Sequence, residues 1–270
     1  PTDVAGMPAF ARYIGIDYSG AAQPDSPLPG LRVYVANADN EPRKISPTDP
    51  RKTHWSRRAV FEWLRDALAQ PVASLVGIDH AFSFPLAYFS AHSLPPDWPT
   101  FLADFCAHWP TDQTEVSVEQ IRRGEIGQGD QRAGNARWKR LTEQGIGAKS
   151  VFHFDVPGSV AKSTHAGLPW LQALRQHHAQ SLHCWPFDGW QITPGCSAIA
   201  EIYPSLWSAH YPRANRSPDE HDAYVVAASL QQYDRNDMLA EVLRAPASRT
   251  SGEQAAIEGW ILGVQPTPGR

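Results

Sequence analysis

Four carboxylates lie at sequence positions that are typical of catalytic or metal-binding groups. Asp17 and Asp79 each end an apolar segment with the sequence Gly-Ile-Asp. Glu201 lies in the apolar run 197–204, and Asp222 lies in a segment with helical periodicity. Burying a carboxylate is costly unless it is paired or binds a metal. Because clustered carboxylates repel one another, the pattern predicts an oxygen-preferring cation, Mg²⁺ or Mn²⁺.

Each of these carboxylates, taken alone, also fits an ordinary structural position. Acidic residues favour the first turn of a helix because of the helix dipole, and Asp219 lies in such a turn after Ser217 and Pro218. Asp222 falls on the helix face that would pack against the sheet, so it is the preferred helical ligand. Asp219 stays open as a further ligand or as a first-turn residue only.

The elements that must position these carboxylates alternate between strands and helices. Short apolar runs bounded by turn residues predict buried strands, and apolar residues three or four apart predict helices. The predicted strands cover residues 13–17, 31–36, 42–45, 72–79, 151–154 and 197–204. The predicted helices cover residues 53–69, 100–109, 169–178, 217–230, 237–243 and 252–262.

A basic segment could contact a substrate. Residues 119–149 carry more basic than acidic side chains and are dotted with glycine. Within this segment Arg137, Lys139 and Arg140 are predicted to contact substrate, and a solvated surface with no such role is the alternative.

The segment Gly158 to Thr164 resembles a phosphate-binding P-loop. The motif requires two glycines where this chain has Val156 and Ala161, so a nucleotide-binding P-loop is not predicted. A loop in which Lys162 and Ser163 touch a substrate phosphate is the better prediction, with an ordinary surface turn as the alternative.

Composition excludes several classes of protein. The 270 residues carry a net charge of −4 and are 42% hydrophobic, which excludes a basic protein that coats nucleic acid and a disordered chain. The three cysteines show no CxxC spacing, so we expect reduced thiols, no disulfide-linked partner and a cytoplasmic location. No apolar run reaches the roughly 18 residues of a membrane span, and residues 1–10 lack a signal-peptide pattern.

Six short motifs, in a shared order, resemble a family of predicted RNase H-like nucleases whose function is formally unassigned. They fall within residues 11–264 and are Ile14-Gly15-Ile16-Asp17 with Ser19-Gly20-Ala21, Gly77-Ile78-Asp79 with Phe84-Pro85, Gly158-Ser159-Val160 with Gly167-Leu168-Pro169, Trp185-Pro186-Phe187-Asp188-Gly189, Ala200-Glu201-Ile202-Tyr203-Pro204, and Asp219 to Ala223. Each motif alone is weakly specific for this family, whereas the shared order of the six motifs is more specific for it.

The resemblance implies an α/β fold of the RNase H-like type, with a mixed five-stranded sheet flanked by helices. One domain would span residues 11–264, with a large helical insertion at about 90–195 between the fourth and fifth strands. Residues 1–10 would form an N-terminal arm and residues 265–270 a C-terminal tail.

The resemblance also implies a divalent-metal-dependent nuclease that hydrolyses phosphodiester bonds by a two-metal mechanism. Asp17, Asp79, Glu201 and Asp222 would be the catalytic residues and would hold two Mg²⁺ or Mn²⁺ ions, with Asp17 bridging them and Asp219 as a further ligand. Nucleic acid is the substrate class that the resemblance implies. The sequence does not distinguish among DNA, RNA and a small phosphorylated molecule.

Two alternatives keep the acidic edge but change the function. Actin-like ATPases and sugar kinases share the fold, and Asp17-Tyr18-Ser19-Gly20 resembles their first phosphate loop, in which Ser19 would contact phosphate. These proteins usually duplicate the fold and are longer. The second alternative is a non-enzymatic binding protein with a relict acidic site.

Overall fold

The computed structural model describes residues 9–144 and 146–265. Residues 1–8 of the predicted N-terminal arm and 266–270 of the predicted tail therefore lie outside the described residues. The strands are β1 Arg12–Asp17, β2 Arg32–Asn37, β3 Arg43–Ile45, β4 Ser74–Ile78, β5 Leu182–Cys184 and β6 Ser197–Glu201. The helices are α1 Arg57–Leu68, α2 Leu86–Ala91, α3 Trp98–His108, α4 Val118–Arg122, α5 Ala161–His177, α6 Pro218–Arg235, α7 Leu239–Val242 and α8 Arg249–Glu258.

The fold is α/β, as predicted, with one mixed sheet flanked by helices. The strand order is β3-β2-β1-β4-β6-β5. β1 pairs antiparallel with β2 and parallel with β4, and β6 pairs parallel with both β4 and β5. The predicted count of five strands is wrong, since β5 adds a sixth at the sheet edge. This three-residue strand lies inside the region predicted as a helical insertion, and it is too short to give a periodic signal in the sequence.

The sheet separates two hydrophobic cores because side chains alternate between its faces. Ile14, Ile16 and Ile78 belong to the core beneath α1, α3 and α5. Tyr13 and Leu75 belong to the other core, with α6 and the segment around Trp260. A central strand with apolar residues on both faces reads as a continuous apolar run, which explains why β1 and β4 were predictable.

Helix α6 lies directly on the central strands, and glycine makes that approach possible. A Cβ built on Gly15 would lie 2.2 Å from the Ala223 carbonyl oxygen and 2.7 Å from the Ala227 nitrogen. The predicted start of this helix is confirmed. Ser217 and Glu220 form a capping box that satisfies the backbone N–H groups of the first turn.

Helices α1 and α5 cover the opposite face, and two of their predicted boundaries are wrong. α1 is capped by Ser56, whose side chain accepts from the Ala59 N–H, rather than by Thr53. α5 begins at Ala161, so Pro169 lies inside the helix and not in its first turn. The residues before Pro169 are mostly small and buried, and close packing against the sheet stabilises a helix that their hydrophobic pattern did not reveal.

The predicted strand at 151–154 is also wrong. Val151 and Phe152 are buried, but they lie in turns and pair with no strand among the described residues. A short apolar run can fill a core without joining a sheet, and sequence periodicity does not separate the two cases. Cys106, Cys184 and Cys196 are free thiols, and no described helix is long and apolar enough to cross a membrane.

The contact between Gly15 and α6 predicts a large effect of one methyl group. Gly15→Ala should lower the free energy of unfolding by at least about 2 kcal/mol, because the new Cβ meets helix backbone that cannot move aside. Gly252→Ala is the matched control: it lies within α8 with open space around it and should stabilise by about 0.5–1 kcal/mol. Urea unfolding would measure both, and equal effects at the two positions would contradict the packing argument.

Candidate functional site

Three predicted site residues lie at one edge of the sheet because β1, β4 and β6 run parallel. Asp17 ends β1, Asp79 directly follows β4, and Glu201 ends β6. The Asp79 N–H donates to the Ile16 carbonyl at 3.0 Å, which brings the first two strand ends level. Ile78 pairs with Glu201 across the next strand.

The same register places Glu201 on the opposite face from the two aspartates. Paired residues share a face of a sheet, and alternate residues along a strand return to it. Asp17 lies two positions after Gly15, and Asp79 lies two positions after Gly77. Because both glycines face α6, the two aspartates lie on the α6 face. Glu201 pairs with Ile78, which faces the other core.

Asp17, Asp79, Asp219 and Asp222, which we call the aspartate cluster, interact at the α6 face. The pKa of Asp17 is raised well above its ordinary value by burial and then by Asp79, Asp219 and Asp222. The pKa of Asp79 is raised to about 8, chiefly by burial and then by Asp222 and Glu201. The pKa of Asp222 is raised by burial and also by Asp219, while His221 and Arg213 act to lower it. The sequence predicted one site of Asp17, Asp79, Glu201 and Asp222 with Asp219 as a further ligand, and in the structure the four aspartates share this face without Glu201.

The two acidic residues of the first turn of α6 have different roles. Glu220 accepts from Lys44 Nζ at 2.5 Å and from the Ser217 N–H, which lowers its pKa to about 2. Asp219 instead faces the loops at the sheet edge: a Cβ built on Gly30 would lie 3.8 Å from both Asp219 Oδ2 and Ser19 Oγ. Glu220 is therefore a capping residue, whereas Asp219 belongs to the aspartate cluster and lies close to Ser19.

Glu201 is part of a buried ion pair. Its two carboxylate oxygens accept from Arg140 Nη2 at 2.5 Å and Nη1 at 2.6 Å. Arg140 also donates from Nε to Glu143 at 2.8 Å. All three side chains are buried, and burial still raises the pKa of Glu201 despite Arg140. The predicted substrate contact by Arg140 is wrong, because a guanidinium enclosed between two carboxylates cannot reach the surface.

Arg140 and Glu143 come from the inserted region, and Glu258 ties that region to the end of α8. The buried Glu258 carboxylate accepts from the Leu141 N–H at 2.7 Å and from the Leu86 N–H at 2.6 Å. The insertion is thus anchored to the sheet edge through charged groups rather than through apolar packing alone.

The predicted phosphate-contacting residues meet where the loop after β1 touches the start of α5. A Cβ on Gly20 would lie 2.1 Å from the Lys162 carbonyl oxygen, so Ser19 adjoins Lys162 and Ser163. Lys162 Nζ is paired with Glu119 at 2.6 Å, and the buried Ser163 hydroxyl donates to the Val160 carbonyl at 3.0 Å. Ser163 is therefore engaged within its own helix turn.

Two arginines near the site were missed by sequence reasoning. Arg57 is fully buried and donates to the carbonyls of Ser19, Ala21 and Ala22, which fixes the loop that follows Asp17. Arg32 pairs with Asp17 in the β1–β2 register and acts to lower the pKa of that aspartate. A register between the first two predicted strands would have suggested Arg32, whereas no sequence signal identifies Arg57.

The remaining predicted substrate contacts lie on the inserted region. Arg137 is exposed, and Lys139 Nζ donates to the Ala148 carbonyl at 2.8 Å. Among residues 9–144 and 146–265, no hydrogen bond or ion pair joins either residue to the aspartate cluster, and their contact with substrate stays a prediction.

Neither a preformed metal site nor a similar known protein adds an assignment. In the part of the chain that the structure describes, no three His, Cys, Asp or Glu side chains already form a group that could hold a metal ion. The chain matches no family model, no curated protein and no solved structure.

The raised pKa of Asp79 predicts a pH-dependent stability in metal-free buffer. An aspartate titrates near 3.9 in the unfolded chain and at about 8 here, so its stabilising contribution is complete below pH 4 and is lost as the pH rises through 8. Asp79→Asn should therefore be more stable than the wild type at pH 8 and similar at pH 4, with a slope approaching about 1.4 kcal/mol per pH unit between them. Urea titrations with chelator would measure this, and the exposed Asp39→Asn should show no such trend.

Breaking the Arg140 network should destabilise the fold. Arg140→Met leaves Glu201 and Glu143 buried without their cation, which should cost about 3–5 kcal/mol at neutral pH. The matched control Arg137→Met removes an exposed arginine and should change the free energy of unfolding by less than about 0.5 kcal/mol. Similar stabilities for the two variants would show that the network is not required.

Proposed function

We propose that this chain has an RNase H-like fold and is a divalent-metal-dependent nuclease. The order β3-β2-β1-β4-β6, with β2 antiparallel and β4 and β6 parallel to β1, supports the fold. β5 is then an addition at the free edge of β6. The closing helix α6, which carries two carboxylates onto the central strands, supports the same assignment.

The observation that carries the proposal is the unpaired state of the aspartate cluster. Among the described residues, none of the four carboxylates makes an ion pair or a hydrogen bond, although Asp17, Asp79 and Asp222 have pKa values raised by burial and by one another. Such a group of carboxylates is suited to an added cation, since no lysine or arginine of the described chain forms an ion pair with them.

The donor chemistry of the cluster fits Mg²⁺ or Mn²⁺, which prefer oxygen ligands. We propose Asp17, Asp79, Asp219 and Asp222 as the ligands, a set that includes Asp219 and leaves out Glu201. Glu201 projects from the other face, and Arg140 occupies both of its oxygens. The carboxylates must draw together when an ion binds, because they do not already form a closed group.

In this mechanism a bound divalent ion supplies Lewis-acid polarisation of the scissile phosphate. The chain's own residues hold and shape the site. Asp17 is central because its strand lies between β2 and β4, so it neighbours Arg32 on one side and Asp79 on the other. Arg57 fixes the carbonyls of the following loop, and that loop places Ser19 beside Asp219.

Metal binding can be tested separately from catalysis. Mn²⁺ at about 100 times its Kd should raise the melting temperature of the wild type by roughly 5–10 °C, because a ligand that binds only the folded state stabilises it. Asp17→Asn should lose this rise, whereas Asp39→Asn should keep it. Glu201→Gln should also keep it, which distinguishes the proposed ligand set from the one predicted from the sequence.

Cleavage of a labelled single-stranded oligonucleotide in Mn²⁺ is the matching activity test. Asp17→Asn should reduce the cleavage rate by at least about a hundredfold, because the ion that polarises the phosphate is no longer held. An unchanged rate in this variant would contradict the proposal. Binding of ATP without any binding of nucleic acid would instead favour the phosphotransferase alternative.

A further inference from the structure

Arg32 is an almost buried cation beside the aspartate cluster, and its Nε makes no hydrogen bond. It pairs with Asp17 across β1 and β2, and its side chain is 12% exposed. The carboxylate oxygen nearest to this Nε, on Glu220, is 3.9 Å away and already bound by Lys44. A guanidinium in this state retains a donor for a ligand that approaches the cluster.

A polar path leads from Arg32 to the protein surface. Arg32 Nη1 lies 3.4 Å from His54 Nδ1. His54 in turn lines a surface cavity of about 340 Å³ together with Arg51, Lys52 and Thr53. This cavity lies on the loop that joins β3 to α1.

The charges in this cavity are not all cancelled. Arg51 is paired with Asp49 at 2.9 Å, and Asp25 is paired with Arg58 at 2.6 Å. Lys52 is exposed and makes no ion pair with any described residue. The path therefore has a cation at each end, Lys52 at the surface and Arg32 beside the aspartate cluster.

The basic groups of the inserted region are, by contrast, mostly engaged. Arg140 is buried between carboxylates, and Lys162 is paired with Glu119. Arg122 is paired with Asp155 at 2.8 Å, and Lys139 donates to a backbone carbonyl. The segment that looked most suited to substrate in the sequence thus has few free cations.

We propose that the phosphodiester backbone of a nucleic acid strand reaches the aspartate cluster along the path Lys52–His54–Arg32, with Arg32 holding a phosphate next to Asp17. This inference rests on the proposed nuclease function and names the side from which its substrate enters. A strand with regularly spaced phosphates fits this path better than a single small anion, because the two cations lie at opposite ends of it.

The test compares two surfaces of the same protein. Binding of a fluorescein-labelled single-stranded DNA oligonucleotide would be measured by anisotropy in Ca²⁺ over a range of salt, with a gel to confirm that the strand stays intact. Lys52→Gln and Arg32→Gln should each raise the Kd by about three- to tenfold and reduce the salt slope by about one. Arg32→Lys should recover part of the binding, because it keeps the charge. The control, Arg235→Gln with Arg244→Gln, replaces two exposed arginines that make no ion pair with any described residue and should stay within about twofold.

Several outcomes would overturn the inference. The first is weaker binding by the control variant while the Lys52 and Arg32 variants bind like the wild type. The second is that the wild type does not bind the oligonucleotide. The third is that inorganic phosphate displaces the labelled oligonucleotide as well as unlabelled oligonucleotide does at the same phosphate concentration. Thermal melting with Mn²⁺ separates the two proposals. Variants that keep the Mn²⁺-induced rise retain the metal site, so unchanged oligonucleotide binding in them counts against the path alone. If Mn²⁺ does not raise the melting temperature of the wild type, the result counts against the proposed nuclease function.

Discussion

The alternation of side chains along three parallel strands in register governs the arrangement of this site. Because β1 and β4 are aligned, Asp17 and Asp79 emerge side by side on the face covered by α6. Because Glu201 is level with Ile78, it emerges on the other face. Gly15 and Gly77 complete the arrangement, since only glycine lets α6 approach closely enough to add Asp219 and Asp222.

The carboxylates at this sheet edge consequently lie in two different electrostatic environments, one on each face. On one face Glu201, Glu143 and Arg140 neutralise one another, and the inserted region is held in place by that network. On the other face no lysine or arginine of the described residues forms an ion pair with the aspartate cluster, and burial together with neighbouring carboxylates raises the pKa values of Asp17 and Asp79. A paired carboxylate serves the fold, whereas an unpaired group retains its capacity to bind a cation.

Two buried arginines extend this contrast to the surrounding loops. Arg57 donates from Nη1 and Nη2 to three carbonyls and so shapes the backbone after Asp17, although its Nε, like that of Arg32, makes no hydrogen bond. Arg32 keeps an unused donor beside the same aspartate. The first is a positioning residue, and the second has the properties expected of a residue that contacts substrate.

The sequence by itself determined the α/β class, the central strands and the capping box of α6, because these depend on local periodicity and on residues three apart. It also predicted Asp17, Asp79, Glu201 and Asp222 as one site, because each of them interrupts an apolar pattern. It could not show that Glu201 faces Arg140, since that pair joins residues 61 positions apart and depends on strand register. Nor could it show the edge strand β5, the early start of α5, or the roles of Arg32 and Arg57. Those features arise from packing and pairing between distant segments, which only the tertiary structure decided.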